Sequence, residues 1–184
     1  MRNVSLYIAT SLDGKIAGKD GELDWLSYLP NELKSDYGYK AFMARVDTIL
    51  MGRKTWDQVL SFGGTYPYPG LKGYVFSREK HKSKIKSVKY LSDDPAQFVN
   101  KLKAKSGKTI WLIGGAELVS ELLAADLIDE IILTIVPVIL GTGIPLFHQH
   151  PEQWYDLTKS ESFDNGFVQM TYTRNRDRTR PAGQ

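Results

Sequence analysis

The residues with the most chemical promise stand where apolar runs give way to glycine and then to a helical pattern. In Ile49-Leu50-Met51-Gly52-Arg53-Lys54-Thr55-Trp56, an apolar strand ends on glycine, two cations follow, and a helix opens. Such a junction gathers free backbone N–H groups and the positive end of a helix dipole, a setting that suits an anion. Gly52 lets a ligand come close to the backbone, while Arg53 and Lys54 bring charge suited to a phosphate. A plain turn with solvated cations accounts for the same residues.

The pattern recurs in Trp111-Leu112-Ile113-Gly114-Gly115-Ala116-Glu117-Leu118, where adjacent glycines permit a tight approach to a pyrophosphate. This is not the GxGxxG fingerprint, and a bare Gly-Gly is weak alone. Two such junctions on one parallel sheet mean more together, because ligands bind at the carboxyl ends of parallel strands. Phe76-Ser77-Arg78 places a hydroxyl and a guanidinium at a third strand end. If that strand neighbours the first, Arg78 joins Arg53 and Lys54 around one phosphate. A 2′-phosphate explains a surplus of cations, whereas NAD recognition favours an acid at the ribose, so the patch tilts toward NADP. Surface solvation is the competing reading.

The elements that must position these residues alternate between β-type runs and helical patterns. Strands are predicted at Val4–Ala9, Thr48–Met51, Tyr74–Ser77, Val88–Leu91, Thr109–Ile113 and Glu130–Val138. Helices are predicted over Pro30–Arg45, Thr55–Leu60, from Asp93 or Asp94 (with Pro95 in the first turn) to about Ser106, and from Gly115 through Ala124. Two last strands, near Trp154–Phe163 and Gly166–Thr173, flank the hairpin signal Asp164-Asn165-Gly166. Repeated β-α-β units ending in a hairpin predict an α/β fold. Its central sheet is mostly parallel, with helices on both faces and an antiparallel C-terminal edge. Residues 1–174 form one domain in this reading, and 175–184 a flexible basic tail.

A chain of 184 residues with 42% hydrophobic and 24% charged residues suits one soluble domain. The absence of cysteine excludes disulfides and thiolate metal sites, and it is compatible with the cytoplasm. The N-terminal apolar run soon meets Asp13 and Lys15, so no secretory signal and no membrane span is expected. A net charge of +3 is too small to argue for nucleic acid and suits small anions. Basic residues cluster at Arg78, Lys80, Lys82, Lys84, Lys86 and Lys89 and again at Arg174, Arg176, Arg178 and Arg180, which reads as solvated surface. His148 and His150 lack a second ligand cluster, so no metal is expected.

Met51-Gly52-Arg53-Lys54-Thr55-Trp56 resembles the Met-Gly-Arg-x-Thr-Trp segment of dihydrofolate reductases, and Ile113-Gly114-Gly115-Ala116-Glu117-Leu118 resembles their Ile-Gly-Gly segment. Ser11-Leu12-Asp13-Gly14-Lys15-Ile16-Ala17 and the run Pro137 to Phe147 resemble elements of the riboflavin-pathway pyrimidine reductases. The likeness spans about Val4 to Thr173 and implies a dihydrofolate reductase-like fold. It implies an NADPH-dependent oxidoreductase acting on a pteridine- or pyrimidine-like heterocycle. By that resemblance Gly52, Arg53, Lys54 and Thr55 hold the adenosine-phosphate side of NADPH. Ser77 and Arg78 assist at the 2′-phosphate, and Gly114, Gly115, Ala116, Glu117 and Leu118 hold the pyrophosphate. Ala9 and Ile16 border the nicotinamide, covered by the Asp13–Gly21 loop.

Dihydrofolate reductases also carry a carboxylate in the first helix, and the matching position here is Asp36. On the predicted helix, Asp36 falls at the edge of the apolar arc of Tyr39, Phe42, Met43 and Val46, which predicts a desolvated acid with a raised pKa, a catalytic group able to hold or relay a proton near neutrality. An exposed or locally bonded acid is the alternative. Trp25 matches the tryptophan near the substrate, eleven positions before Asp36 instead of the family's shorter gap. Tyr37, Tyr39 and Lys40 replace residues that clasp a pterin, which argues against folate; Lys40 is placed to pair with Asp36 or to bind an anionic substrate. No zinc deaminase signature is present. A homodimer is expected, since reductases of that branch pair through sheet edges and Glu130–Val138 is apolar. The rival function is a non-catalytic NADP-binding sensor with a reductase-like fold.

Overall fold

The computed structural model describes residues 1–32 and 34–178. Six parallel strands carry the sheet: β1 (Val4–Ser11), β3 (Val46–Gly52), β4 (Lys72–Phe76), β5 (Val88–Leu91), β6 (Thr109–Gly114) and β7 (Glu130–Val136). The antiparallel pair β9 (Tyr155–Ser162) and β10 (Val168–Arg174) completes it, in the order β5-β4-β3-β6-β1-β7-β10-β9. The predicted mostly parallel sheet with a hairpin edge is the architecture found. β7 reads as a nearly unbroken apolar run because it lies between β1 and β10 and is covered on both faces. The apolar character of Glu130–Val138, taken above as a sign of an interface, is therefore used inside the monomer.

Helices α1 (Tyr39–Ala44) and α2 (Arg53–Ser61) cover one face, where Phe42 and Trp56 pack with Ile49, Met51 and Trp111. Helices α3 (Pro95–Lys103) and α4 (Ala116–Ala124) cover the other, where Val99, Leu102, Val119 and Leu122 pack on Val4, Leu6, Leu50 and Leu112. Asp94 caps α3 by accepting from the Gln97 N–H, with Pro95 just inside, as the local signals predict.

The helix predicted over Pro30–Arg45 is the main departure: among its described residues, Tyr39–Ala44 are helical. Local polar bonds compete successfully with helix formation in this segment. Asn31 closes a loop on Ser35 through both its side-chain oxygen and its amide nitrogen. Tyr37 and Gly38 both have positive φ, 52° and 78°, which no right-handed helix accommodates. The Tyr37 carbonyl is held by the Tyr7 hydroxyl at 2.9 Å and by the Gln169 amide at 3.0 Å.

Residues after β10 stay docked. The Asn175 N–H donates to the Trp154 carbonyl, Arg176 pairs with Asp126 and Asp129, and the Arg178 guanidinium sits 4.1 Å from the Trp154 ring centre. The remainder of the segment expected as a flexible tail, 179–184, lies outside the described residues. No helix among the described residues is long and apolar enough to cross a membrane, and no group among them has the make-up of a metal site.

Candidate active site

The two glycine junctions, distant in sequence, meet in space because β3 and β6 are neighbours, with Met51 opposite Gly114. A Cβ on Gly52 would stand 3.7 Å from the Gly115 nitrogen, and one on Gly115 would stand 3.2 Å from the Thr55 Oγ1. Gly114 takes φ +127°, open to glycine, and the Gly114–Gly115 peptide is cis. Gly52 caps α2 and Gly115 caps α4, neither with a side-chain bond, so two helix N-termini direct free N–H groups toward one place. Ala116 and Leu118 are buried, which leaves their backbone N–H groups as the means to hold an anion.

The phosphate end is less one-sided in charge than the sequence suggests. β4 lies beside β3 with Gly52 opposite Phe76, so Ser77 and Arg78 follow the strand end adjacent to the one that Arg53 and Lys54 follow. Yet Arg53 Nη1 donates to Asp57 Oδ2, and Arg78 Nη2 stands 3.9 Å from Glu117 Oε2. The Ser77 hydroxyl accepts from the Glu79 N–H.

On the α1 side, Ala9, Thr134 and Gln169 stand abreast on β1, β7 and β10. Thr134 and Gln169 are buried, and the Gln169 amide nitrogen donates to Thr134 Oγ1 at 3.0 Å, to the Tyr37 carbonyl at 3.0 Å and to the Tyr7 hydroxyl at 3.3 Å. Burial, chiefly, pushes the Tyr7 phenol above its ordinary pKa, with the nearby Asp36 charge contributing. Trp25 packs with Ala9, Tyr37, Val136 and Phe167, and its indole N–H is the buried side-chain donor among the described residues that has no protein acceptor. In native proteins such a donor usually meets a ligand or a water.

Asp36 differs from expectation. It precedes α1, is exposed, and its carboxylate accepts from the Gly38 and Lys40 N–H groups at 3.0 Å each. Those bonds, Lys40 first, hold its pKa below the ordinary aspartate value, the reverse of the predicted rise. The predicted helix would have pressed it on the sheet; the tight turn at Tyr37 and Gly38 turns it outward. Lys40 is exposed and Tyr39 is 37% exposed, its ring 5.9 Å from Trp111.

Asp13 is a functional candidate that the residue reading left unassigned. Its carboxylate accepts from the Ser11 hydroxyl at 2.7 Å and from the Leu140 and Gly141 N–H groups at 3.1 and 3.0 Å. The Ser11 bond, then the backbone bonds, hold its pKa down. It thereby ties the loop after β1 to the Gly141-Thr142-Gly143 segment, where a small second sheet pairs β2 (Lys15–Ala17) with β8 (Ile144–Pro145). Gln58 on α2 donates to the Gly21 carbonyl at 2.7 Å, so the Asp13–Gly21 loop is held at both ends. Ile16 packs with Ile8 against the α3/α4 cluster, while Ala9 joins the Trp25 cluster. The polar residues inside apolar strands, Thr134 and Gln169, were visible in sequence as breaks in β-type runs; nothing local marked Asp13 as a clamp.

A protein-family model described as the RibD C-terminal domain matches residues 73–169. The uncharacterized protein YwjB of Bacillus subtilis (strain 168) is 39% identical over 173 residues, 94% of this chain and 98% of its own. The crystal structure of a putative riboflavin biosynthesis protein from Shewanella sp. PV-4 superposes with a TM-score of 0.85 at 37% identity, covering 96% of this chain and 100% of that one. A Thermotoga maritima protein, diaminohydroxyphosphoribosylaminopyrimidine deaminase/5-amino-6-(5-phosphoribosylamino)uracil reductase, shares the fold with a TM-score of 0.66 at 18% identity. The match takes in 95% of this chain and 57% of that one. With paired glycine junctions at the carboxyl ends of a parallel sheet and these relatives, the chain belongs to the RibD C-terminal domain family and has its dihydrofolate reductase-like fold.

Proposed function

We propose that this chain is an NADPH-dependent reductase of a pteridine- or pyrimidine-like heterocycle. The observation that carries the reading is the meeting of Gly52 with Gly114 and Gly115 between two uncapped helix N-termini. That cradle suits a pyrophosphate, because a Cβ on Gly115 would crowd Thr55 Oγ1 at 3.2 Å and the free N–H groups favour an anion. Arg53, Lys54, Thr55, Ser77 and Arg78 would take the adenosine-phosphate end, and Ala9 and Ile16 would border the nicotinamide. When bound, the reduced nicotinamide supplies the hydride.

The substrate side combines a deprotonated carboxylate with neutral donors. Asp36, ionised throughout the neutral range, orients the ring and does not act as the stored acid. The Trp25 indole N–H donates to a substrate acceptor or to a bound water, and the proton comes from water. Tyr39 and Lys40 flank the opening. Gln169 and Tyr7 hold the Tyr37 carbonyl and so fix the residue next to Asp36.

Two outcomes test this. Asp36→Asn is expected to lower kcat/KM on dihydropteridine or aminopyrimidine substrates about a hundredfold with NADPH affinity intact. The wild-type profile should show no break from Asp36 in the neutral range, because the Lys40 and Gly38 N–H groups hold its pKa below the ordinary value. NADPH binding with no oxidation across the panel would instead favour a nucleotide sensor, a reading supported by the local engagement of both Asp36 oxygens.

The same reading takes the protein as a cytoplasmic homodimer. β9 is exposed along almost its whole length and ends the sheet, with Leu157 54% exposed. An unpaired sheet edge offers free backbone groups to a second copy, with Leu157 as its exposed apolar contact. Light scattering should give twice the chain mass at micromolar concentration; a monomer throughout would contradict it.

A further inference from the structure

We propose that Asp57 is a cofactor-selecting residue, one that limits the preference of this chain for a 2′-phosphorylated dinucleotide over the unphosphorylated form. The inference rests on the dinucleotide reading above. Asp57 lies one turn after Arg53 on α2, and its carboxylate takes the Arg53 guanidinium. The side chains are 43% and 52% exposed, so the pair faces solvent. Tyr90 lies against the same helix, its ring centre 6.5 Å from that of Trp56, and burial together with the Asp57 charge raises its phenol pKa. Arg53 and Asp57 on α2 thus neighbour Tyr90 on β5, with the Glu79–His81 stretch alongside, the His81 ring centre 5.0 Å from Tyr90 and tilted by 40°. Lys54, the other cation at this helix start, has no ion pair among the described residues.

An exposed ion pair one helical turn apart holds weakly, so a phosphate dianion can draw Arg53 away from Asp57. The carboxylate nevertheless stays beside the phosphate and repels it. A 2′-hydroxyl meets no such repulsion, and a carboxylate is the acceptor that a ribose hydroxyl seeks. One side chain thus acts in opposite directions on the two cofactors.

Affinities for NADPH and NADH, read from the change in dinucleotide fluorescence on binding to the full chain, decide the matter. Asp57→Asn and Asp57→Ala are each expected to tighten NADPH about tenfold while NADH is unchanged or weakened, and high salt should shrink the difference. An unchanged NADPH-to-NADH ratio in both Asp57 variants would overturn the proposal while leaving the dinucleotide site standing. If wild type bound neither cofactor, the site itself would be refuted, and the proposal with it.

Discussion

Gly143→Ala is expected to destabilise the protein by about 2–4 kcal/mol and to weaken dinucleotide binding at the same time. A Cβ at this position would stand 2.4 Å from the Ala17 carbonyl oxygen, with φ at +152°. The obstacle is backbone belonging to β2, so no side-chain rotation relieves it. Either β2 parts from β8, or the segment carrying the Leu140 and Gly141 N–H groups moves off Asp13; both release the Asp13–Gly21 loop, which the proposed function sets beside the nicotinamide. Gly141→Ala supplies the comparison. Its φ is +71°, yet nothing lies within 4 Å of the added carbon, so only the left-handed backbone cost of about 1–2 kcal/mol applies. Denaturant midpoints for the two variants, with NADPH titrations, separate the effects. Equal losses in both would mean that the approach to Ala17 carries no weight.

Gln169→Leu is the second large effect, at about 2–4 kcal/mol. The leucine fills a similar volume but leaves Thr134 Oγ1 without its donor and the Tyr37 carbonyl with Tyr7 alone. Buried acceptors stripped of partners keep their desolvation cost, which is why the loss exceeds that of an exposed hydrogen bond. The consequence for function runs through Tyr37. Its carbonyl is the anchor of the turn that aims Asp36, so kcat should fall further than NADPH affinity. A double-mutant cycle with Tyr7→Phe should give a coupling of about 1 kcal/mol, since both donors serve one carbonyl. Strict additivity would show that the two act independently and that the anchor is not shared.

How much of this was legible in advance depends on the range of the forces involved. The β5 strand over Val88–Leu91 and the α4 helix through Ala124 sit where patterning and glycine signals put them. The Asp94 cap follows the same rule, because capping and strand alternation are decided within a few residues. The Pro30–Arg45 helix failed for a local and a tertiary reason. Its apolar spacing is real, but Asn31 closes on Ser35, Tyr7 from β1 and Gln169 from β10 take the Tyr37 carbonyl, and a turn with two positive φ values stands before Tyr39. The direction of the Asp36 pKa reversed with it.

By itself, the amino-acid sequence determined the glycine-bearing strand-to-helix junctions at Gly52 and at Gly114–Gly115, since conformational freedom and helix termini are local properties. Only the tertiary structure decided what those junctions face. Strand order placed β3 against β6 and merged the two into one cradle. Folding also set Asp13 on the backbone of Leu140, and it aimed Asp36 outward. Charge pairing across the surface further offset the guanidinium groups of Arg53 and Arg78 with Asp57 and Glu117, which a count of cations along the chain does not register. The physical reason is the same in each case. Coulombic and hydrogen-bond partners are chosen by distance in space, and chain separation says little about that distance until the sheet has formed.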